Sequence, residues 1–549
     1  MRSSLFEFPF IAVVAWWGVV QAYTFPSFGR KPFHLYASLS NEETKKKTWM
    51  NKLGFRRASR DGRVARELYK SKRSKDIKHR ITDRAALEDY FQDTKMQFRD
   101  DKGEIDYSAL LGALDVRGDT QIIGTANYTH PVLQLLHERR RSLQDGAASV
   151  NTTTPTKVAL AIEGGGMRGC VSAGAICAIY HLNLTNCIDV VYGASAGSLI
   201  GSYLITDQLP WFGPELYYDK LTTAGRQFID TRRLLRALGF GLLDPRLLKD
   251  VLTRRAFGKP VLNLSFLLQK TMQETKPLDW DTFVAKQSTI PLKVVVSDLK
   301  SERSRALDMA GGYFQTLSEL SQCMHASCLL PGIAGPLVNM DMDVIKGRKK
   351  GEKFILGNNL NADAIHPMAD ALVYEPLPYH SAIDEGATHV IVVRSRPDGV
   401  DVSGKSSFFE SLIFRRFFLR KNRLPHIFEL FRRQQHKKIY ARDVLELNEH
   451  ANSQQHYLDT SKPHILTIAA PPGSPEVSRL ETGRQAIFEG IRRGFARAYD
   501  CLVEDPSQRG KGMEVALEFF PDDILDYDPL LIDTRDESAY EYYLKQKQI

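Results

Sequence analysis

Two short runs of small residues carry the chemistry of this chain. The first is Gly193-Ala194-Ser195-Ala196-Gly197. It follows Asp189-Val190-Val191-Tyr192, which reads as a buried strand, and it precedes an apolar stretch from Ser198 to Ile205 that reads as a helix. A serine at such a bend has its hydroxyl lifted out of the sheet, and the helix N-terminus sets positive potential beside it. Gly193 and Gly197 fit the elbow because a side chain there would clash where strand folds onto helix. Ser195 is therefore the candidate nucleophile. The second run is Glu163-Gly164-Gly165-Gly166-Met167-Arg168-Gly169, again between a strand (Val158 to Ile162) and a helix (170–182). Consecutive glycines let backbone N–H groups converge on one point, where a developing oxyanion can be held. Residues Gly164 to Gly169 are the candidate oxyanion loop, with Arg168 adding charge or bracing the turn.

Gly164-x-Gly166-x-x-Gly169 also fits a dinucleotide fingerprint, and Asp189 lies 20 residues beyond Gly169. The order of elements speaks against it. The strand that should end at a ribose-binding acid begins there and runs into the serine bend.

These runs need a scaffold, and the sequence supplies one. Strand, glycine turn, helix, strand, turn, helix is the grammar of a parallel α/β sheet. Further buried strands are expected over Leu292 to Val296, His389 to Val393 and His464 to Ala469, and a last helix over Glu481 to Leu502. Pro131 to Leu136 with the following Glu138-Arg139-Arg140-Arg141 reads as a helix with a charged end. Residues 398–460 interrupt the pattern as an insertion. Within them Phe408 to Lys438 interleaves seven phenylalanines with Arg and Lys, and Pro425 divides the segment. It is either an interfacial amphipathic element or a helical piece packing its rings on the catalytic domain.

The two runs together resemble the patatin-like phospholipase family. Val158 to Ile205 carries both its glycine-rich oxyanion loop and its nucleophile elbow. Lys293 to Asp298 is similar to its central strand, Cys323 to Gly332 to its small-residue segment before Pro-Gly, and His389 to Val393 to its penultimate strand. The resemblance covers roughly 130–400 and 462–503. It implies a three-layer α/β/α fold with a mostly parallel central sheet, and a serine–aspartate dyad. Asp370 matches the family's aspartate in register, with Asp363 the alternative; the glycine that follows that aspartate is Ala371 here, so the turn must accommodate a Cβ. A carboxylate serves as base when burial raises its proton affinity. Fatty-acyl esters of glycerolipids would be the substrates, cleaved in phospholipase A fashion, with no metal or organic cofactor. Two other readings compete: a catalytically silent lipid-associated protein, and an α/β-hydrolase esterase using a histidine, for which His380 and His389 stand nearest.

Length and composition bound these options. The 549 residues, 43% hydrophobic and 25% charged, suit one large catalytic unit with extensions and exclude collagen-like and wholly disordered classes. No run of 18 apolar residues occurs, which excludes a polytopic membrane protein. The net charge of +9 is local: residues 41–75 hold 13 Lys and Arg against 4 Asp and Glu. Such a patch is a solvated segment or one attracted to anionic lipid; no zinc-finger or RNA-binding motif points to nucleic acid. Six cysteines without CxxC spacing argue against a disulfide scaffold or zinc site. Residues 1–22 read as a signal peptide, with 13 apolar residues from Phe8 to Val20. Tyr23-Thr24-Phe25-Pro26 then resembles the second part of a leader for plastids of secondary origin; endomembrane retention and secretion are the other destinations. A basic extension and linker over 23–154, a catalytic domain over 155–505 and a tail over 506–549 complete the division. The expected partners are a glycerolipid substrate and a membrane or lipid-droplet surface met peripherally.

Overall fold

The computed structural model describes residues 124–125, 128–145, 156–234, 260–347, 363–398, 400, 402, 408–452, 458–471, 473–527 and 538–547. The leader and the basic stretch lie outside them.

Eight strands form the main sheet: β1 (Val158–Ile162), β2 (Val190–Ala194), β3 (Leu292–Asp298), β4 (Arg303–Leu307), β5 (Val338–Asp341), β6 (Ile365–Ala369), β7 (His389–Val393) and β8 (His464–Ile468). The helices that frame it are α1 (Pro131–Gln144), α2 (Gly169–His181), α3 (Ala196–Ile205), α4 (Leu317–Cys328), α5 (Tyr379–Asp384), α6 (Phe408–Phe414), α7 (Pro425–Arg432), α8 (Gln435–Asn452), α9 (Arg484–Leu502) and α10 (Gly512–Phe519). The strand order is β8-β7-β1-β2-β3-β6-β5, with β4 paired to β3. The first five run parallel; β4 and β6 are antiparallel to β3, and β5 is antiparallel to β6. The sheet is thus mixed and mostly parallel.

The unbroken apolar character of β1, β2, β3 and β7 follows from helices on both faces. Leu160, Ile162, Val191 and Val294 point to one face, where they meet α2, α3 and α9. Ala159, Ala161, Tyr192, Val295 and Val390 point to the other, covered by Tyr379 and Ala382 of α5 and by Tyr440, Val444 and Leu447 of α8. Each fully buried aliphatic chain contributes about 1.5–3 kcal/mol. Helix starts are set locally: Thr316 Oγ1 accepts from Glu319 N–H ahead of α4, and His130 Nδ1 accepts from Val132 N–H ahead of α1, where Pro131 needs no partner.

The segment read as an insertion does not stand apart from the sheet. Its α8 is half of the second helical layer, and α7 buries Ile427, Phe428, Leu430 and Phe431. Pro425 sits at the first turn of α7, where it ends the preceding helical stretch. Most of the segment's phenylalanines pack inward, while Phe408 is 59% exposed. At the C-terminus Phe520, Ile524, Tyr527, Ala539 and Tyr540 all enter the core. The Ala539 N–H donates to Glu215 at 2.9 Å, and Glu215 pairs with Lys276 at 2.8 Å, both side chains being fully buried.

Candidate active site

The sheet register brings the two small-residue runs together. Ile162 pairs with Gly193 on one side and Val393 on the other, so three parallel strands end level and their loops meet. The chain then turns sharply at Ser195, which has φ 51° and ψ −120°. For a residue with a Cβ that is a strained conformation, of the kind concentrated at reactive centres. Two glycines make it possible. A Cβ on Gly193 would lie 2.3 Å from the Ser198 Cα, and one on Gly197 would lie 2.2 Å from the Ile162 carbonyl oxygen. The bend is held from behind: Ser195 N–H donates to Ser327 Oγ at 2.7 Å, and Ser327 donates in turn to the Val295 carbonyl at 2.6 Å.

The glycine loop lies directly against this bend; a Cβ on Gly164 would fall 2.6 Å from the Ser195 Cβ. The N–H groups of Gly165 and Gly166 have no acceptor among the described residues, nor has that of Ala196 at the start of α3. Met167 serves the loop differently from its glycines. Its N–H donates to the Arg479 carbonyl at 3.1 Å, so it is committed to closing the loop. Arg168 braces the loop. It is 2% exposed, ion-paired with Glu476 and hydrogen-bonded to Ser395 Oγ, which itself donates to the Gly164 carbonyl at 3.0 Å. Burial and the neighbouring Arg396 and Arg479 lower its pKa to about 10. Gly169 opens α2 against Ala196 and Tyr217 and is a packing position.

Asp370 follows β6 and caps the short turn over Ala371–Val373, accepting from Leu372 N–H at 2.9 Å. Burial pushes its carboxyl up to about 6, against the opposing pull of the Leu372 N–H and the Arg479 charge. Ala371 is fully buried and is not among the residues of positive φ, so the turn takes its Cβ without backbone strain. Asp363 is fully exposed and pairs loosely with Lys300 at 4.0 Å. His380 is buried against Asp443 at 3.0 Å, and His389 bonds Thr388 at the edge of β7.

A cavity of about 260 Å³ gathers Ser195, Asp370 and the loop from Gly164 to Arg168. Asp363, His380 and His389 do not line it. The two dyad candidates share it, with Cys328 on the same wall and without a direct hydrogen bond between them among the described contacts. Contacts of that kind tighten when substrate is bound. Burial pushes the Cys328 thiol up to about 12, and Asp370 adds to the rise, so the sulfur stays protonated. Most of the wall is apolar, from Leu199, Leu221, Phe228, Leu264, Leu267 and Ile413 among others. Sequence reasoning missed Ala196, Cys328, His436, Tyr440 and Arg479. Only Ala196 carried a local signal, as the first amide of the helix after the serine. Among the described residues one set, His380, Asp443 and Glu446, has the donor types of a cation site; it lies outside the cavity, and Arg442 already balances Asp443 at 3.2 Å.

Residues 160–383 match the family model of patatin-like phospholipases. The chain carries a patatin-like phospholipase domain. The domain's family makes lipid acyl hydrolysis its general activity and lipid its substrate class. The patatin match stops at 383, whereas the sheet continues through β7 and β8 and the helical layers through α8 and α9. VipD from Legionella pneumophila, known from a crystal structure, is a structural neighbour with 12% identity and a TM-score of 0.27, over 72% of this chain and 79% of VipD. No curated protein matches the chain in sequence.

Proposed function

We propose that the protein hydrolyses fatty-acyl esters of glycerolipids with Ser195 as nucleophile and Asp370 as base. The observation that carries this is the shared cavity: a serine hydroxyl on a strained elbow, a buried carboxylate whose pKa burial has pushed up to about 6, and uncommitted amides, set in an apolar wall. Asp370 takes the Ser195 proton as the oxygen attacks the ester carbonyl carbon. The tetrahedral oxyanion is met by the Gly165 and Gly166 amides, with Ala196 completing the cradle. Collapse expels the alcohol, which takes the proton from Asp370. Water then attacks the acyl-enzyme with Asp370 again accepting a proton; collapse breaks the bond to Ser195, whose oxygen takes that proton back as the fatty acid leaves.

The bilayer is the natural source of such a substrate. Helix α6 (FFESLIF) has no buried residue; its Phe409, Glu410, Ile413 and Phe414 roof the cavity while Phe408 faces outward. Arg420, Lys421 and Arg423 are exposed beside it. This combination suits peripheral contact with an anionic lipid surface. Among the described residues no helix is long and apolar enough to cross a membrane.

A serine-directed fluorophosphonate probe and a lipid-hydrolysis assay test the dyad together. Ser195→Ala should abolish both labelling and fatty-acid release. Asp370→Asn should abolish release with the fold intact. Absence of labelling at Ser195 in the unmodified protein would favour the catalytically silent reading, and full activity in Asp370→Asn would remove Asp370 as the base.

A further inference from the structure

The apolar cavity has one polar flank that the proposed chemistry does not use, and it comes from α8. His436 and Tyr440 stand four residues apart on that helix, hence on one face, and both line the cavity. Each ends in a buried polar atom, His436 Nδ1 and Tyr440 Oη, with no hydrogen-bond partner among the described residues. Buried polar atoms are almost always paired, and apolar side chains of similar shape would hold this helix at less cost. The pair is thus poised for something that enters the cavity. Its surroundings say what. Lys437 and Arg479 also line the cavity, and theirs are the charges that bear on His436. Arg396 lies over the Tyr440 ring at 5.6 Å while pairing with Glu476 at 2.8 Å. Glu163 is the carboxylate that bears on Tyr440, and Arg394, Arg396 and Arg168 oppose it, so two neutral hydrogen-bonding groups beside an excess of cations match an oxygen-rich anion. Arg479 also acts on Asp370, which places this flank next to the reacting ester.

We propose that His436 and Tyr440, with Lys437 and Arg479, form a subsite for the phosphate of the substrate's headgroup, so that the preferred glycerolipid is a phospholipid. This rests on reading the cavity as the active site. The acyl chain would lie along the opposite apolar wall. Tyr440 would donate to a phosphate oxygen, and the imidazole would donate through whichever nitrogen carries its proton.

Two measurements on the full chain test this. In the first, binding of short-chain phosphatidylglycerol and of diacylglycerol with the same acyl groups is compared calorimetrically on the Ser195→Ala protein, below the micelle threshold, with inorganic phosphate as competitor. The phospholipid should bind roughly tenfold tighter or better, as charge-assisted contacts imply, and inorganic phosphate should compete only weakly. Equal binding of the two lipids overturns the subsite; phosphate binding as tightly as the phospholipid overturns its assignment to a lipid headgroup. In the second, the ratio of kcat/KM for the two lipids is measured in Tyr440→Phe and in His436→Gln. Each should lower the ratio by roughly 10-fold or more, the worth of one hydrogen bond to a charged group, mostly through KM. Equal losses on both lipids would show a merely structural role and overturn the assignment. Phospholipid preference in binding without Ser195 labelling would sink the hydrolase reading and leave the subsite standing; hydrolysis with no headgroup preference would do the reverse.

Discussion

Replacing Asp370 by asparagine should stop hydrolysis and stabilise the protein. The carboxyl is buried and its pKa is raised from 3.8 to about 6, with burial the first cause. The fold therefore favours the neutral form of an acid that is ionised at neutral pH in the unfolded chain. Below pH 4 the group is protonated in both states and costs nothing. Between pH 4 and 6 the unfolded chain releases its proton first, and the folded state loses stability. Above pH 6 the full cost is in place, about 3 kcal/mol from roughly two pH units at 1.36 kcal/mol each. Asparagine keeps the shape and still accepts the Leu372 N–H, without the charge. Denaturant unfolding of both proteins from pH 4 to pH 8 should show a gap opening in favour of Asp370→Asn, small at pH 4 and about 3 kcal/mol at pH 8. The hydrolysis rate of the unmodified protein should rise over the same window with a midpoint near 6, because only the ionised carboxylate accepts a proton. A pH-independent stability gap, or none, would refute the assignment of the shift to burial.

Four other outcomes follow from the geometry. Gly197→Ala drives a Cβ against the Ile162 carbonyl at 2.2 Å and should cost about 3 kcal/mol or more by overpacking backbone on backbone, read by unfolding and by lost probe labelling. Glu476→Gln removes the shared counter-ion of Arg168 and Arg396 and should destabilise by about 3–5 kcal/mol, seen as a lowered melting temperature. Asp363→Asn, at a fully exposed site, should leave stability within about 0.5 kcal/mol and hydrolysis unaltered. Phe408→Asp should weaken co-sedimentation with anionic vesicles; undiminished binding would remove α6 from the contact surface.

The parallel half of the sheet was legible because strands covered on both faces are continuous apolar runs, as in Val158–Ile162 and His389–Val393. The antiparallel edge was not. Val338–Asp341 and Ile365–Ala369 are only partly buried, and Pro367 sits inside the second, so neither an apolar run nor a clean alternation marks them. Ser195 and its glycines were legible because the elbow is local. The committed amide of Met167 was not, since its acceptor Arg479 comes from a loop far along the chain. The same holds for the cavity's polar flank: His436 and Tyr440 lie on a helix of the segment read as an insertion, and only the folded sheet sets them beside Ser195.

The brace of the glycine loop has a consequence for how the molecule can be divided. Glu163 N–H donates to the Val393 carbonyl, Met167 N–H to Arg479, and Arg168 reaches Glu476, all beyond residue 383. A fragment cut to the family match would keep Ser195 and Asp370 yet lose two adjacent strands and every outside anchor of the oxyanion cradle. Such an excised piece would hold the right letters in a slack frame, with the flank of β1 laid bare as a sticky edge. The unit that packs as one is therefore larger than the unit that sequence comparison outlines.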